Sequence, residues 1–214
     1  NTDISSLKNT LEDNTGTWGA GLYLAACYNP PEDTEIEESF DQCSENDVEG
    51  LISLTDSESA FRDNVSLNNG GGIYLDGGDR PSDTLFKASF LQTVFDGNFS
   101  DDNGGGIYAT DFVGLELDFV LFSQNVGESN GGGYFIQNPE SEVRVSDSRF
   151  DRNVAYYGNG GAFFNSYDTY ALVERSEYID IRADDAGGAF VAYVADEERI
   201  LALDASGGAC TLAG

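Results

Sequence analysis

FDGNFSDDNGGGIY, residues 95–108, holds a Phe, an Asn three positions later, and three glycines, the last of them eight positions after the Asn. The same spacing recurs at Phe61/Asn64 before Gly70–Gly72 and at Phe122/Asn125 before Gly131–Gly133. A fourth copy places Phe150/Asn153 before Gly160–Gly161. The final glycines fall at 72, 106, 133 and 161, and weaker copies follow at 188 and 208. Intervals of 34, 27, 28 and 27 residues mark stacked repeats, each burying its apolar face against the next.

Around this motif the apolar residues alternate with period two, which is the pattern of half-buried strands. After the glycines come Ile73-Tyr74-Leu75, Ile107-Tyr108-Ala109 and Tyr134-Phe135-Ile136. Counted from the Asn in the same way, the next copies give Ala162-Phe163-Phe164 and, after a one-residue deletion, Ala189-Phe190-Val191. The outer members of each triplet should face the core and the middle aromatic should face outward. A second strand precedes each Phe, with Leu54, Ala88, Leu115, Val143 and Ala171 seven positions before it. A third short strand carries the Phe. Three strands and three turns in about 27 residues describe an all-β, single right-handed parallel β-helix. Six or seven coils would span roughly 30 Å at the spacing of parallel strands.

Each repeating residue has a role in such a stack. Phe61, Phe95, Phe122, Phe150 and Tyr178 should form an internal aromatic ladder. Asn64, Asn98, Asn125 and Asn153 should form a ladder of buried amides that satisfies turn backbone groups. The Asn ladder ends where Ile181 takes its place. In the first coil Leu11, Asn14, Gly21 and Tyr23 fit with one residue deleted. The whole of 1–214 reads as one domain, with 1–10 as an N-terminal cap and 25–50 as an insertion. That insertion has nine acidic residues between Glu32 and Glu49 and no Lys or Arg. Cys27 and Cys43 flank it and form the natural disulfide pair, which would staple a self-repelling loop. Cys210 is left over and is a candidate for an inter-chain bond.

Composition excludes several functions. A net charge of −29, from 39 acidic and 10 basic residues, should repel nucleic acid and anionic membranes. The chain has no His, which removes imidazole metal ligands and Ser-His or Cys-His dyads. No apolar run approaches the length of a membrane span. Asn1 and the lack of any Met suggest a processed N-terminus. The sequons at Asn64 and Asn98 are formal glycosylation acceptors, but both asparagines are expected to point inward.

The recurring F-x-x-N followed by G-G-x-I/Y resembles the repeats of the chlamydial polymorphic outer-membrane proteins, over about residues 11–212 and most strongly over 61–164. The resemblance implies a secreted or cell-surface passenger used in adhesion or assembly, and it supplies no catalytic residues. The chain lacks the outer-membrane barrel that follows the passenger in those proteins, and its acidic insertion departs from their pattern.

One set of residues is a candidate binding surface. Tyr23, Tyr74, Tyr108, Phe135, Phe163 and Phe190 would make an outward aromatic stripe beside bare glycines. Such a stripe could dock a flat protein partner or a sugar chain. In the plainer reading each ring folds over its neighbouring glycine. No cofactor is expected. Ca²⁺ at the acidic insertion, at Asp101–Asp102 or at Asp184–Asp185 is a weak alternative, because no calcium-loop motif is present. The expected function is a non-enzymatic surface module that assembles through this stripe and through the open strand edge after Gly207. A carbohydrate-binding or polysaccharide-cleaving β-helix is the alternative. Abundant acids make a catalytic pair easy to propose and hard to specify.

Overall fold

The computed structural model describes residues 2–27, 48–49, 51–78, 86–111, 113–137, 142–166, 169–192 and 202–204. Apart from Val48–Glu49, which pairs with Ala26–Cys27, every described strand pairs in parallel with its counterpart one coil away, as a right-handed parallel β-helix requires. Each coil contributes to four sheets rather than the three expected. The first sheet holds seven strands: Thr2–Leu7, Leu51–Ser57, Phe86–Leu91, Val113–Asp118, Glu142–Ser146, Tyr170–Glu174 and Ala202–Asp204. The second carries the Phe, from Ala60–Arg62 to Glu177–Ile179. The third consists of the two residues after the Asn, such as Phe99–Ser100, which pair in register with Val65–Ser66 and Val126–Gly127. The fourth follows the glycines, at Ile73–Asp76, Ile107–Thr110, Tyr134–Gln137, Phe163–Asn165 and Phe190–Ala192.

The core is built from columns of identical positions. Leu54, Ala88, Leu115, Val143 and Ala171 line the first sheet, all buried. Phe61, Phe95, Phe122, Phe150 and Tyr178 stack at centroid distances of 5.0, 4.8, 4.8 and 5.2 Å with nearly parallel planes. That spacing is the inter-strand distance itself, so ring stacking and backbone pairing share one repeat.

Buried amides hold the turns between the second and third sheets. Asn98 Nδ2 donates to Phe61 O and to Asn125 Oδ1, each at 2.9 Å, while Asn98 Oδ1 accepts from Asn64 N and Asn64 Nδ2. Asn125 repeats the arrangement with Phe95 O and Asn153 Oδ1. A second amide column, which the Phe-Asn spacing does not show, stands just before the glycines. Asn103 Nδ2 donates to Asn69 Oδ1, Asn130 Nδ2 to Asn103 Oδ1, and Asn159 Nδ2 to Asn130 Oδ1. Its polarity is opposite to the first: here the later coil donates to the earlier one. Its sequence signal is the Asn-Gly-Gly tripeptide at 69–71, 103–105, 130–132 and 159–161.

Strand pairing corrects two assignments. Phe163 and Phe190 stand inside the helix, opposite Tyr134, and not in the outer column. The cause is one extra residue in the turn after Ala155. Ala155 pairs with Gly127, but Phe163 pairs with Tyr134, so the offset between coils changes from 28 to 29. The extra residue is taken up at Tyr156–Tyr157, where Tyr157 is 78% exposed. Ala162 therefore occupies the place of a third glycine, and the next coil has its ordinary length with no deletion. Phe164 and Val191 take the outer positions, and Asn165 turns into the core. Deleting Tyr157 would restore the common turn length. It is expected to shift the thermal midpoint by no more than about 2 °C, as exposed turn changes do. Deleting Ala162 should instead flip Phe163 and Phe164 and abolish the cooperative transition. Circular dichroism melts of the two variants check this.

Candidate functional site

The outer aromatic column runs Tyr23, Tyr74, Tyr108, Phe135, Phe164. Its rings stack at 5.1, 5.0, 5.4 and 5.0 Å, in a cluster separate from the core. Alternation on the fourth sheet puts it there, since Ile73, Ile107 and Tyr134 on one side and Leu75, Ala109 and Ile136 on the other are fully buried. Pointing away from the core does not leave the column bare. Tyr108, Phe135 and Phe164 are buried, and the Tyr108 hydroxyl donates to Gln137 Oε1 at 2.6 Å. Along the middle coils the column is therefore mostly a shield over the sheet.

The column opens at its N-terminal end. Tyr23 is 40% exposed and Tyr74 is half-buried. Trp18, 43% exposed, meets Tyr74 edge-on at 5.4 Å. Trp18 was not legible as a site residue in the repeat pattern. It precedes Gly19, where later coils have the Asn before their glycines, so the one Trp of the chain replaces a ladder amide at the first turn. Three aromatic side chains thus meet at one end of the column, with two of them substantially in solvent.

Burial tunes the phenols of this region. It pushes the Tyr108 phenol up to about 12, helped by Asp111, Asp102 and Asp76 and opposed by Thr110. Tyr74 is raised further, by burial and then by Asp76. Inside the core, burial also raises Tyr134 well above its ordinary value. The unfolded chain loses these protons near pH 10 and the folded one holds them, so stability falls as pH rises through and above 10. Alkaline unfolding that begins near pH 10, read together with tyrosinate absorbance, is the expected result. Ionisation of Tyr108 or Tyr134 near pH 10 in the still-folded chain, read residue by residue by NMR, would contradict the burial of these phenols.

The other candidates separate clearly. Asn64 and Asn98 are fully buried with Nδ2 committed to the ladder, so a glycan on either is incompatible with the folded coil. Asp101–Asp102 and Asp184–Asp185 occupy the same turn in coils far apart, and Asp184 pairs with Arg182. Among the described residues no group of three or more His, Cys, Asp or Glu side chains could hold a metal ion. Cys43, Cys210, the acidic insertion except for its flanking strands, and the open edge after Gly207 lie outside the described residues. A shallow hollow on the outer face of the first sheet has bare Gly114 at its floor, ringed by Lys87, Glu116, Glu142 and Arg144.

Residues 92–110 match the model of the Chlamydia polymorphic membrane protein repeat. The matched stretch contains Phe95 and Asn98 of the two ladders and Gly104–Gly106. No curated protein and no solved structure matches the chain. Among the described residues no helix is long and apolar enough to cross a membrane. The matched repeat and the β-helix both fit a surface structural module.

Proposed function

We propose that the chain is a non-enzymatic, surface-exposed adhesive or assembly module that contacts a protein partner through the aromatic end formed by Trp18, Tyr23 and Tyr74. The observation that carries this reading is the contrast along one column. Stacked aromatic rings are covered over the middle coils, yet at the first coil Tyr23 and the neighbouring Trp18 are 40% and 43% exposed. Large aromatics that keep apolar area in solvent are the residues that dominate binding energy at protein interfaces. Thr2–Leu7, Thr10–Glu12 and Thr15–Gly16 are the terminal strands of their sheets at the same end. A partner seated on the rings would therefore also lie beside the end strands of three sheets among the described residues.

Beads coated with the protein should adhere to target cells or to immobilised copies of the chain. A Trp18→Ala/Tyr23→Ala double variant should lose at least tenfold in adhesion with an unchanged circular dichroism spectrum. Equal adhesion by the variant would overturn the reading. The alternative, a carbohydrate-binding or carbohydrate-cleaving protein, rests on the hollow around Gly114. A glycan array signal, or reducing-sugar release abolished by Glu116→Gln and Glu142→Gln, would replace the adhesive reading with that one.

A further inference from the structure

The turn after the third sheet carries side chains that neither the core nor the ladders use. It holds Asp101–Asp102, Glu128–Ser129 and Asp184–Asp185 in three coils, and Tyr156–Tyr157–Gly158 in the coil between the last two. Backbone bonds stack these turns directly. Tyr156 N donates to Gly127 O at 3.1 Å, Tyr157 N to Glu128 O at 2.8 Å, and Asp185 N to Gly158 O at 3.0 Å. In this one coil a Tyr stands where its neighbours begin the turn with a carboxylate, and the extra residue sets a second ring beside it. The two ring centroids are 6.3 Å apart. Tyr156 is 44% exposed, and Tyr157 is the most exposed large apolar side chain among the described residues. Coils are stacked on both sides of this one, so the exposure does not come from an end of the stack.

The surroundings are acidic. Asp101, Asp102, Glu128 and Asp185 enter no ion pair among the described residues. Arg182, on the short strand before Asp184, is taken by that residue at 3.3 Å. Adjacent exposed rings mark a contact surface, and the charges around them decide what it can contact. Ring faces are themselves electron-rich, so rings and carboxylates attract the same kind of group, a cation. A purely apolar partner would have to desolvate the carboxylates without compensation. A second copy of the chain would bring the same acidic turn and a net charge of −29 against it.

We propose that this turn column docks an extended basic segment of another protein. One arginine or lysine lies on the faces of Tyr156 and Tyr157, and further basic side chains meet Glu128, Asp185 and Asp101–Asp102. Arginine suits the place best, because a guanidinium stacks on a ring while its N–H groups bond carboxylates in its own plane. From the coil of Asp101 to that of Asp185 is three steps of about 4.8 Å, roughly 14 Å, which four or five residues of extended chain would span. The surface lies four coils from Trp18 and does not rest on the adhesive reading of the first coil.

The test is a calorimetric and NMR titration of the unaltered chain with penta-arginine and with spermine at physiological salt. Penta-arginine should bind saturably and shift the ring signals of Tyr156 and Tyr157. Tyr156→Ala/Tyr157→Ala removes no charge and should weaken binding at least tenfold with an unchanged melt. Glu128→Gln/Asp185→Asn should weaken it as much, and carries the test should the tyrosine variant not fold. Glu12→Gln/Asp13→Asn makes the same charge change on another exposed turn and should alter binding less than twofold. Equal binding by the tyrosine variant, or equal loss in both charge variants, would reveal diffuse attraction to an acidic chain and overturn the site. Spermine binding as tightly as penta-arginine would assign the turn to a small polyamine instead of a protein. Self-association lost in the tyrosine variant would seat a second copy there, and would equally overturn the basic partner. Trp18→Ala/Tyr23→Ala should bind penta-arginine unchanged, so failure here and failure of the adhesive reading are told apart.

Discussion

Asn98→Ala is expected to leave the chain without a cooperative folded state at 37 °C, or to lower its urea midpoint by more than half. The side chain makes four buried hydrogen bonds, two donated and two accepted. Its removal strands Phe61 O and both donors of Asn64, with no water in reach, because Asn64 and Asn98 are fully buried. At about 1–3 kcal/mol for each stranded group the loss is roughly 3–6 kcal/mol, a large part of the 5–15 kcal/mol that holds a typical domain folded. Asn98→Asp should do no better at neutral pH. It keeps the acceptor for Asn64 but turns a carboxylate oxygen toward Phe61 O and Asn125 Oδ1. Asn159→Ala provides the comparison, since it removes a half-buried rung near solvent and should cost only about 1 kcal/mol. Urea titrations of the three variants, followed by circular dichroism, would show whether buried amides or merely ring stacking hold the coils in register.

Gly105→Ala is the second large effect. A Cβ at Gly105 would lie 2.5 Å from Val126 C and O and 2.6 Å from Gly132 O. All three are backbone atoms of the next coil, so no rotamer change can relieve the clash. The coils would have to separate locally, and the expected cost is about 3 kcal/mol or more, at the upper end of overpacking penalties. Gly188→Ala is its control, because none of the described residues lies within 4 Å of a Cβ at that position. That variant should stay within about 0.5 kcal/mol of the unaltered chain. Two chemically identical substitutions at equivalent repeat positions thus separate by whether backbone of a neighbouring coil lies against the new Cβ. If Gly188→Ala destabilised the chain as much as Gly105→Ala, the glycines would be serving a local turn rather than coil contact.

The repeat made the fold readable because three independent signals share one period: the Phe, the Asn and the glycine run. Each is buried and each contacts its own copy, so a spacing counted along the chain translates directly into a column in space. The spacing misleads where it crosses an insertion. From Asn153 to the last glycine is again eight residues, but one residue of the turn, at Tyr156–Tyr157, bulges into solvent. The last glycine therefore matches the second glycine of other coils. Phe163 and Phe190 were carried to the wrong face by that single residue, since a one-position slip in a strand exchanges its faces. The Asn159 rung shows the true register, since Asn159-Gly160-Gly161 repeats the Asn-Gly-Gly of the other copies.

The candidate sites were harder to see because they break the repeat rather than obey it. Trp18 replaces a ladder amide, and Asp56 replaces a core apolar residue. Neither has a spacing of its own, and their meaning depends on what surrounds them. Exposure distinguished Trp18 and Tyr23 from the covered Tyr108 and Phe135, although sequence position treats all the aromatics alike. Asp56 could have been noticed as the one acid at five residues before the Phe, where Phe90, Leu117, Val145 and Val173 stand in other copies. Only the structure shows that this acid is buried with one carboxylate oxygen unpartnered.

Side-chain amide exchange, followed by NMR, tests the coil stacking most directly. If the coils stack as described, the Nδ2 protons of Asn64, Asn98 and Asn125 exchange only through global unfolding, at rates that follow the stability measured by urea. Those of exposed Asn14 exchange many times faster. Exchange of Asn98 at the rate of Asn14 would mean that its amide is open to solvent, and the buried ladder on which this fold rests would be contradicted.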